Sequence, residues 1–160
     1  MAFLTVRNLT KLALLLALTL AFQMFGFPQP ITGPAVNAML ILSTFYLGPF
    51  GGAIIGMLTP VAALMRGILA PPLGPAIPFI VGGNWAYVFA FAGIVNRNKY
   101  LALLVGAGLK FLILAGAVQF LLSVPAPVAK ALQVPQLVTA VTGGAVALIV
   151  WPILQRANIK

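Results

Sequence analysis

Lys110 lies near the middle of an otherwise apolar run, residues 100–122. At about 1.5 Å of rise per helical residue, it lies roughly 15 Å from Tyr100 and roughly 18 Å from Leu122, too deep for its amine to reach either face of a hydrocarbon core about 30 Å thick. The Leu, Ile, Val and Phe residues of the run contribute about 4–8 kcal/mol to membrane insertion, against a cost of about 2.5–3.5 kcal/mol for a central lysine. An ionisable residue at this depth indicates a functional site, with a structural lysine held by backbone carbonyls as the alternative.

The residue types that the chain lacks exclude most catalytic chemistry. There is no Asp, Glu, His or Cys, so paired-carboxylate catalysis, metal sites, thiol or histidine nucleophiles and proton coupling through acids are all excluded. The phosphate-binding Gly-x-x-x-x-Gly-Lys-Ser/Thr loop is absent as well. We therefore expect no enzyme, no cofactor and no intrinsic energy source.

The composition is that of an integral membrane protein. The chain has 160 residues, of which 62% are hydrophobic, and a mean hydropathy of +1.16, far above soluble domains. Its net charge of +9 comes from basic residues that lie mostly at the ends of apolar runs. This placement indicates contact with a membrane surface rather than with nucleic acid.

Six apolar runs predict an all-α membrane protein with six transmembrane helices in one bundle, forming a single domain over residues 1–160. The expected spans are residues 4–26, 35–47, 51–69, 79–95, 100–122 and 134–154; a signal peptide over residues 12–25 is the alternative for the first. The short connection at residues 48–50 forces an antiparallel hairpin, whereas the proline-rich segments 27–34, 70–78 and 125–135 read as loops.

The distribution of cations predicts cytoplasmic N and C termini, because basic residues favour that side of a membrane. Six basic residues would then be cytoplasmic, against Arg66 and Lys130 outside: Arg7, Lys11, Arg97, Lys99, Arg156 and Lys160. In this orientation the proline-rich loops lie on the outer side.

Several polar residues in the outer half or near the midplane are candidates to line one outward-facing pocket with Lys110. Asn84 and Trp85 follow two glycines, which suits a pocket wall where an indole stacks on a ligand, although Trp85 could instead belong to the interfacial aromatic belt. The remaining candidates are Arg66, Gln119, Thr139 and Thr142. By contrast, four further polar residues are interpreted as helix-packing residues: Asn37, Ser43, Thr44 and Thr59.

The chain resembles the substrate-binding S component of an energy-coupling factor (ECF) transporter, a six-helix subunit for vitamin uptake. The resemblance rests on alanines 13, 17 and 21 in the first span and the proline-rich loop after it. It also rests on two longer stretches, ITGPAVNAMLILSTFYLGPFGGAIIGMLTP (31–60) and IPFIVGGNWAYVF (77–89).

The resemblance implies a subunit in the prokaryotic cell membrane that binds a vitamin or related micronutrient from outside. Its partners would be a transmembrane coupling (T) subunit and two cytoplasmic ATPases, with Ala13, Ala17 and Ala21 as the docking face. Because no acid compensates Lys110, we expect a ligand with a carboxylate, phosphate or other electron-rich group. Hydration of Lys110 would instead allow a neutral ligand, and a passive pore or structural subunit without a ligand is the alternative function.

Overall fold

The computed structural model describes residues 5–69 and 71–157, and every regular element within them is helical. Lys160 and the proposed start of the first span near residue 4 lie outside the described residues. The helices are α1 (Val6–Met24), α2 (Gln29–Met65), α3 (Ile77–Ile94), α4 (Lys99–Phe120), α5 (Ala126–Ala131) and α6 (Val134–Arg156), with a 3₁₀ helix at Pro71–Ala76.

Five of the described helical segments are long and apolar enough to cross a membrane. They are α1, the 37-residue α2, the 3₁₀ helix continued by α3, α4, and α5 continued by α6. The predicted class, an all-helical membrane bundle, is therefore confirmed.

The helix α2 reverses direction at Gly48, where the backbone leaves the helical region with φ 74° and ψ −179°. Past this residue, a Cβ at Gly56 would lie 3.5 Å from Cδ2 of Leu40, and a Cβ at Gly52 would lie 3.0 Å from the Leu40 carbonyl oxygen. Sixteen residues of continuous helix would separate Gly56 from Leu40 by about 24 Å. The two halves of α2 therefore pack side by side as the predicted hairpin, and glycine at 48 permits the positive φ.

All three segments predicted as loops contain helix: the segment 70–78 includes the 3₁₀ helix Pro71–Ala76 and the start of α3, and the other two include α-helix. The segment 27–34 was expected to be irregular because of its prolines, yet α2 begins at Gln29. Proline is tolerated in the first turn of a helix, where its missing N–H would have no partner, so Pro30 starts the helix rather than preventing it. In the same way Pro127 lies in the first turn of the short helix α5, inside the predicted loop 125–135.

The core forms where α2 contacts α1, α3 and α6, while α4 packs against α3 and α6. Its largest fully buried side chains include Leu40, Ile55, Tyr87 and Phe91. Tyr87 also donates a 2.8 Å hydrogen bond from its hydroxyl to the Ala140 carbonyl, which ties α3 to α6. This packing fixes the rotation of the helices whose polar side chains meet at the site.

A glycine on α6 sets the approach of α6 to α2. A Cβ at Gly143 would collide with the Pro34 carbonyl oxygen and would lie 2.7 Å from Cβ of Asn37 and 2.9 Å from the Ala38 nitrogen. Small residues allow such close contact between membrane helices. This contact holds Asn37 against α6, and Asn37 is also the hydrogen-bond partner of Lys110.

Candidate ligand-binding site

Lys110 is buried inside the bundle, with 3% of its surface exposed. Its Nζ donates a 2.7 Å hydrogen bond to Oδ1 of Asn37 on α2 and lies 5.8 Å from the centre of the Tyr87 ring. Within the described residues, the lysine is therefore held by a side-chain amide rather than by the backbone carbonyls of the alternative interpretation.

Asn37 is itself oriented by its neighbours. Its Nδ2 donates to the Gly33 carbonyl at 2.9 Å and to Oγ1 of Thr139 at 3.5 Å, while Thr139 donates to the Gln136 carbonyl at 3.1 Å. These bonds aim the amide oxygen at Lys110 and join α2, α4 and α6 in one network. A fixed acceptor of this kind holds the ammonium in place without neutralising it.

Lys110 and Asn37 line a polar cavity of about 90 Å³. It lies at the end of the bundle where α1 ends and where α2, α3 and α6 begin. The residues around it come from five helices and the segment after α2: Gln23, Gln29, Thr32, Gly33, Val36, Asn37, Thr59, Pro60, Ala63, Leu69, Ile80, Asn84, Lys110 and Gln136.

Two further polar side chains of the cavity are anchored in the same way as Asn37. Asn84 donates from Nδ2 to the Gly56 carbonyl at 2.8 Å, so that one side of its amide is fixed. Thr59 donates its hydroxyl proton to the Ile55 carbonyl at 2.8 Å. Each side chain keeps acceptor capacity for a further partner.

The electrostatic character of the cavity follows from the sequence and this geometry. An ammonium group has three N–H donors, and in the described residues one of them is accounted for by Asn37. Because the whole chain contains no Asp or Glu, no acidic side chain compensates the lysine. The described residues therefore leave donor capacity of Lys110 unused and provide it with no acidic partner.

Of the residues expected from the sequence, three meet at this site. Lys110 and Asn84 line the cavity, and Thr139 lies behind Asn37 as its hydrogen-bond partner.

The other four expected residues do not line this cavity. Trp85 is 41% exposed on the outside of the bundle, where its Nε1 donates to the Ala53 carbonyl at 3.0 Å. Adjacent residues of a helix point in directions about 100° apart, so Asn84 and Trp85 cannot both face inward. Gln119 is exposed because nine residues from Lys110 amount to about two and a half turns. Arg66 borders a neighbouring cavity, and Thr142 borders an apolar groove beside α6.

Sequence reasoning missed the most direct partner of Lys110. Asn37 and Thr59 were both assigned to helix packing, yet both line the cavity. Three glutamines of the cavity, Gln23, Gln29 and Gln136, were not considered. A usable signal existed for all three: each lies at or near a helix end next to a proline-rich segment, where polar residues of different helices come together.

The alanines of α1 lie on the outside of the bundle. Ala13, Ala17 and Ala21 are all exposed, whereas Thr19 is fully buried on the opposite side of the helix. The described part of the chain therefore leaves this face of small side chains uncovered.

Comparison with known proteins identifies the family. The model of the ECF transporter substrate-specific component matches residues 7–155. No curated protein and no solved structure matches the chain. Members of this family are transport subunits rather than enzymes, span the prokaryotic plasma membrane several times, and pair with a T subunit and ATPases. With nearly its whole length matched, and as its sequence resemblance predicts, the chain belongs to the substrate-specific S components of ECF transporters.

Proposed function

We propose that this S component binds a small anionic micronutrient in the polar cavity, and that Lys110 contacts its carboxylate or phosphate. The observation that carries the proposal is the pairing of Lys110 with a neutral amide, Asn37, in a chain without acidic residues. An ammonium buried in this way is stabilised by an anion that enters the cavity. Asn84 and Thr59 would then orient the rest of the ligand through their remaining acceptor capacity.

The size of the cavity adds a requirement to this proposal. Its volume of about 90 Å³ is below the roughly 300–1,000 Å³ of most small-molecule sites. A vitamin-sized ligand would therefore need the adjoining segments to move apart. The described segments at this end, residues 25–28, 66–69, 71–76 and 121–133, are short connections and short helices rather than long helices.

The proposed topology has six crossings with both termini in the cytoplasm. The hairpin of α2 supplies two crossings in place of one. Arg7, Lys11, Arg97, Lys99 and Arg156 all lie towards the end of the bundle opposite the cavity, which favours that end as the cytoplasmic one. The cavity would then face the outside, the side from which a ligand arrives.

The exposed alanines 13, 17 and 21 are proposed as the docking face for the T subunit. A line of small side chains permits close helix–helix contact. This surface lies on the outside of α1, so docking there would leave the Lys110 network intact.

Ligand identification tests the proposal directly. The protein would be purified in mild detergent, analysed by native mass spectrometry, and screened by thermal shift against pantothenate, biotin, nicotinate, folate, thiamine and riboflavin. We expect a carboxylate or phosphate compound to raise the melting temperature with its concentration. Stabilisation by a neutral or cationic vitamin alone would contradict the anionic assignment. Failure of every compound, together with solute leakage in liposomes, would favour a passive pore.

A further inference from the structure

A second cavity adjoins the polar one. Its volume is about 320 Å³, and it lies between the C-terminal ends of α1 and α2. We call it the vestibule; it is lined by Leu20, Gln23, Met24, Ala62, Ala63, Arg66 and Ile68. Gln23 and Ala63 line both spaces, so the vestibule and the polar cavity adjoin at these two residues.

Gln23 carries an unusual polar atom at this junction. Among residues 5–69 and 71–157, its Oε1 is the one buried side-chain nitrogen or oxygen without a hydrogen-bond partner. Buried polar atoms are normally hydrogen-bonded. The carboxamide is therefore available to a molecule that passes between the two spaces, whichever way the amide is turned.

The vestibule also carries a cation. Arg66, at the C-terminal end of α2, is exposed and borders it, and the chain has no acidic side chain to neutralise the guanidinium. Arg66 borders the vestibule and Lys110 borders the polar cavity, so both charged side chains along this path are basic. Clefts lined in this way concentrate counter-ions and raise their rate of association.

From these three observations we propose that the vestibule is the access route for the anionic ligand. Arg66 attracts the anion, Gln23 forms a hydrogen bond with it at the junction, and Lys110 receives it. The negative charge of the ligand rests on the proposed function, whereas the position of the route does not.

A competing route exists on the other side of the cavity. A groove of about 580 Å³ shares Gln29 with the polar cavity and is otherwise lined mainly by apolar side chains of α2 and α6. No cation lines this groove. An anion would lose its hydration there without compensation, which is why we favour the vestibule.

The chain lacks cysteine, so a single introduced thiol reports access without a ligand. Thr59→Cys places a near-isosteric thiol in the polar cavity, where Thr59 is 1% exposed. The purified protein would be treated with anionic sulfonatoethyl or cationic trimethylammonium-ethyl methanethiosulfonate. The thiolate attacks the reagent sulfur, forms a mixed disulfide and releases methanesulfinate, and mass spectrometry follows the rate. Ala63→Cys at the junction is the second target if Thr59→Cys folds poorly.

Two blocking variants distinguish the routes. Ala62→Trp fills the vestibule without touching the cavity, and Val138→Trp is its matched control in the apolar groove. We expect Ala62→Trp to slow labelling by both reagents about tenfold or more, and Val138→Trp to leave it unchanged. Arg66→Ala should slow the anionic reagent about two- to fivefold at low salt, with the difference lost at high salt. Lys130→Ala, which removes the exposed cation of α5, should have no such effect.

The reverse pattern would overturn the proposal. Slower labelling in Val138→Trp but not in Ala62→Trp would place the route in the groove, and no labelling of either thiol would mean that the vestibule leads nowhere. An unchanged anionic rate in Arg66→Ala would remove the electrostatic part. Because the assay uses no vitamin, its failure is distinct from failure of the ligand screen.

Discussion

Replacing Lys110 with methionine separates its role in binding from its role in the fold. Methionine keeps an unbranched apolar stem, which matters because α4 and α3 are close here: a Cβ at Gly83 would lie 3.2 Å from Cγ of Lys110. The substitution removes the charge, the 2.7 Å hydrogen bond to Asn37 and the approach of the ammonium to the Tyr87 ring. All other helix contacts at this position can persist.

The expected loss of affinity follows from the contacts of Nζ. One N–H is used by Asn37, which leaves donors for the ligand. A hydrogen bond to a charged group contributes about 1.5–3 kcal/mol, and about 1.4 kcal/mol corresponds to a factor of ten in Kd. We therefore expect Lys110→Met to weaken binding of an anionic ligand about 10- to 150-fold.

The fold should change little, because two effects on stability oppose each other. Leaving Oδ1 of Asn37 without its donor costs about 1–3 kcal/mol, and removing a charge from the membrane interior recovers about 2.5–3.5 kcal/mol. The melting temperature of the protein without added ligand should stay the same or rise slightly.

Binding would be measured by isothermal titration in nanodiscs, with the compound found in the thermal-shift screen, and unfolding would be followed by circular dichroism. Lys130→Met, on the exposed side of α5, is the matched control and should change neither quantity. An unchanged Kd in Lys110→Met would refute the proposed contact. A large fall in melting temperature would show that the lysine is structural.

Three further predictions test the network, the helix packing and the partner surface. Asn37→Asp would place a carboxylate beside Nζ and neutralise the cavity, so anion affinity in titration should fall at least as far as in Lys110→Met. Gly143→Ala, which introduces a Cβ against the α2 backbone, should lower the melting temperature and cost about 1–3 kcal/mol; Gly116→Ala, with nothing within 4 Å, should not lower it. Ala17→Trp on the exposed face should abolish uptake by the reconstituted transporter and leave ligand binding in titration unchanged.

The sequence predicted the features that depend on composition and local chemistry. The apolar runs predicted a membrane bundle, and Gly48 with Pro49 predicted the reversal now seen in the contacts of Gly56 with Leu40. The buried position of Lys110 was predicted from the length of its run alone. Each of these follows from a count or from a single residue's conformational preference.

The sequence did not show which side of each helix faces the interior of the bundle. A helix in a soluble protein shows its inner side by hydrophobic periodicity. Lipid is as apolar as the protein interior, so α3 and α4 have apolar residues on every side and only a few polar ones. Asn84 and Trp85 are adjacent, and only packing decides that Asn84 is buried while Trp85 is exposed. The same limit hid Asn37, which is 73 residues from Lys110 in the chain.

The absence of acidic residues connects the proposed site with the proposed route. In a chain with nine basic and no acidic residues, a buried cation can be compensated only from outside. The structure gives Lys110 an amide for a partner, which fixes its position and leaves its charge available. An aspartate at position 37 would pair with Lys110 and compete with every anion that entered. Asparagine at this position therefore suits the proposed function, in which the subunit binds an anion and later releases it.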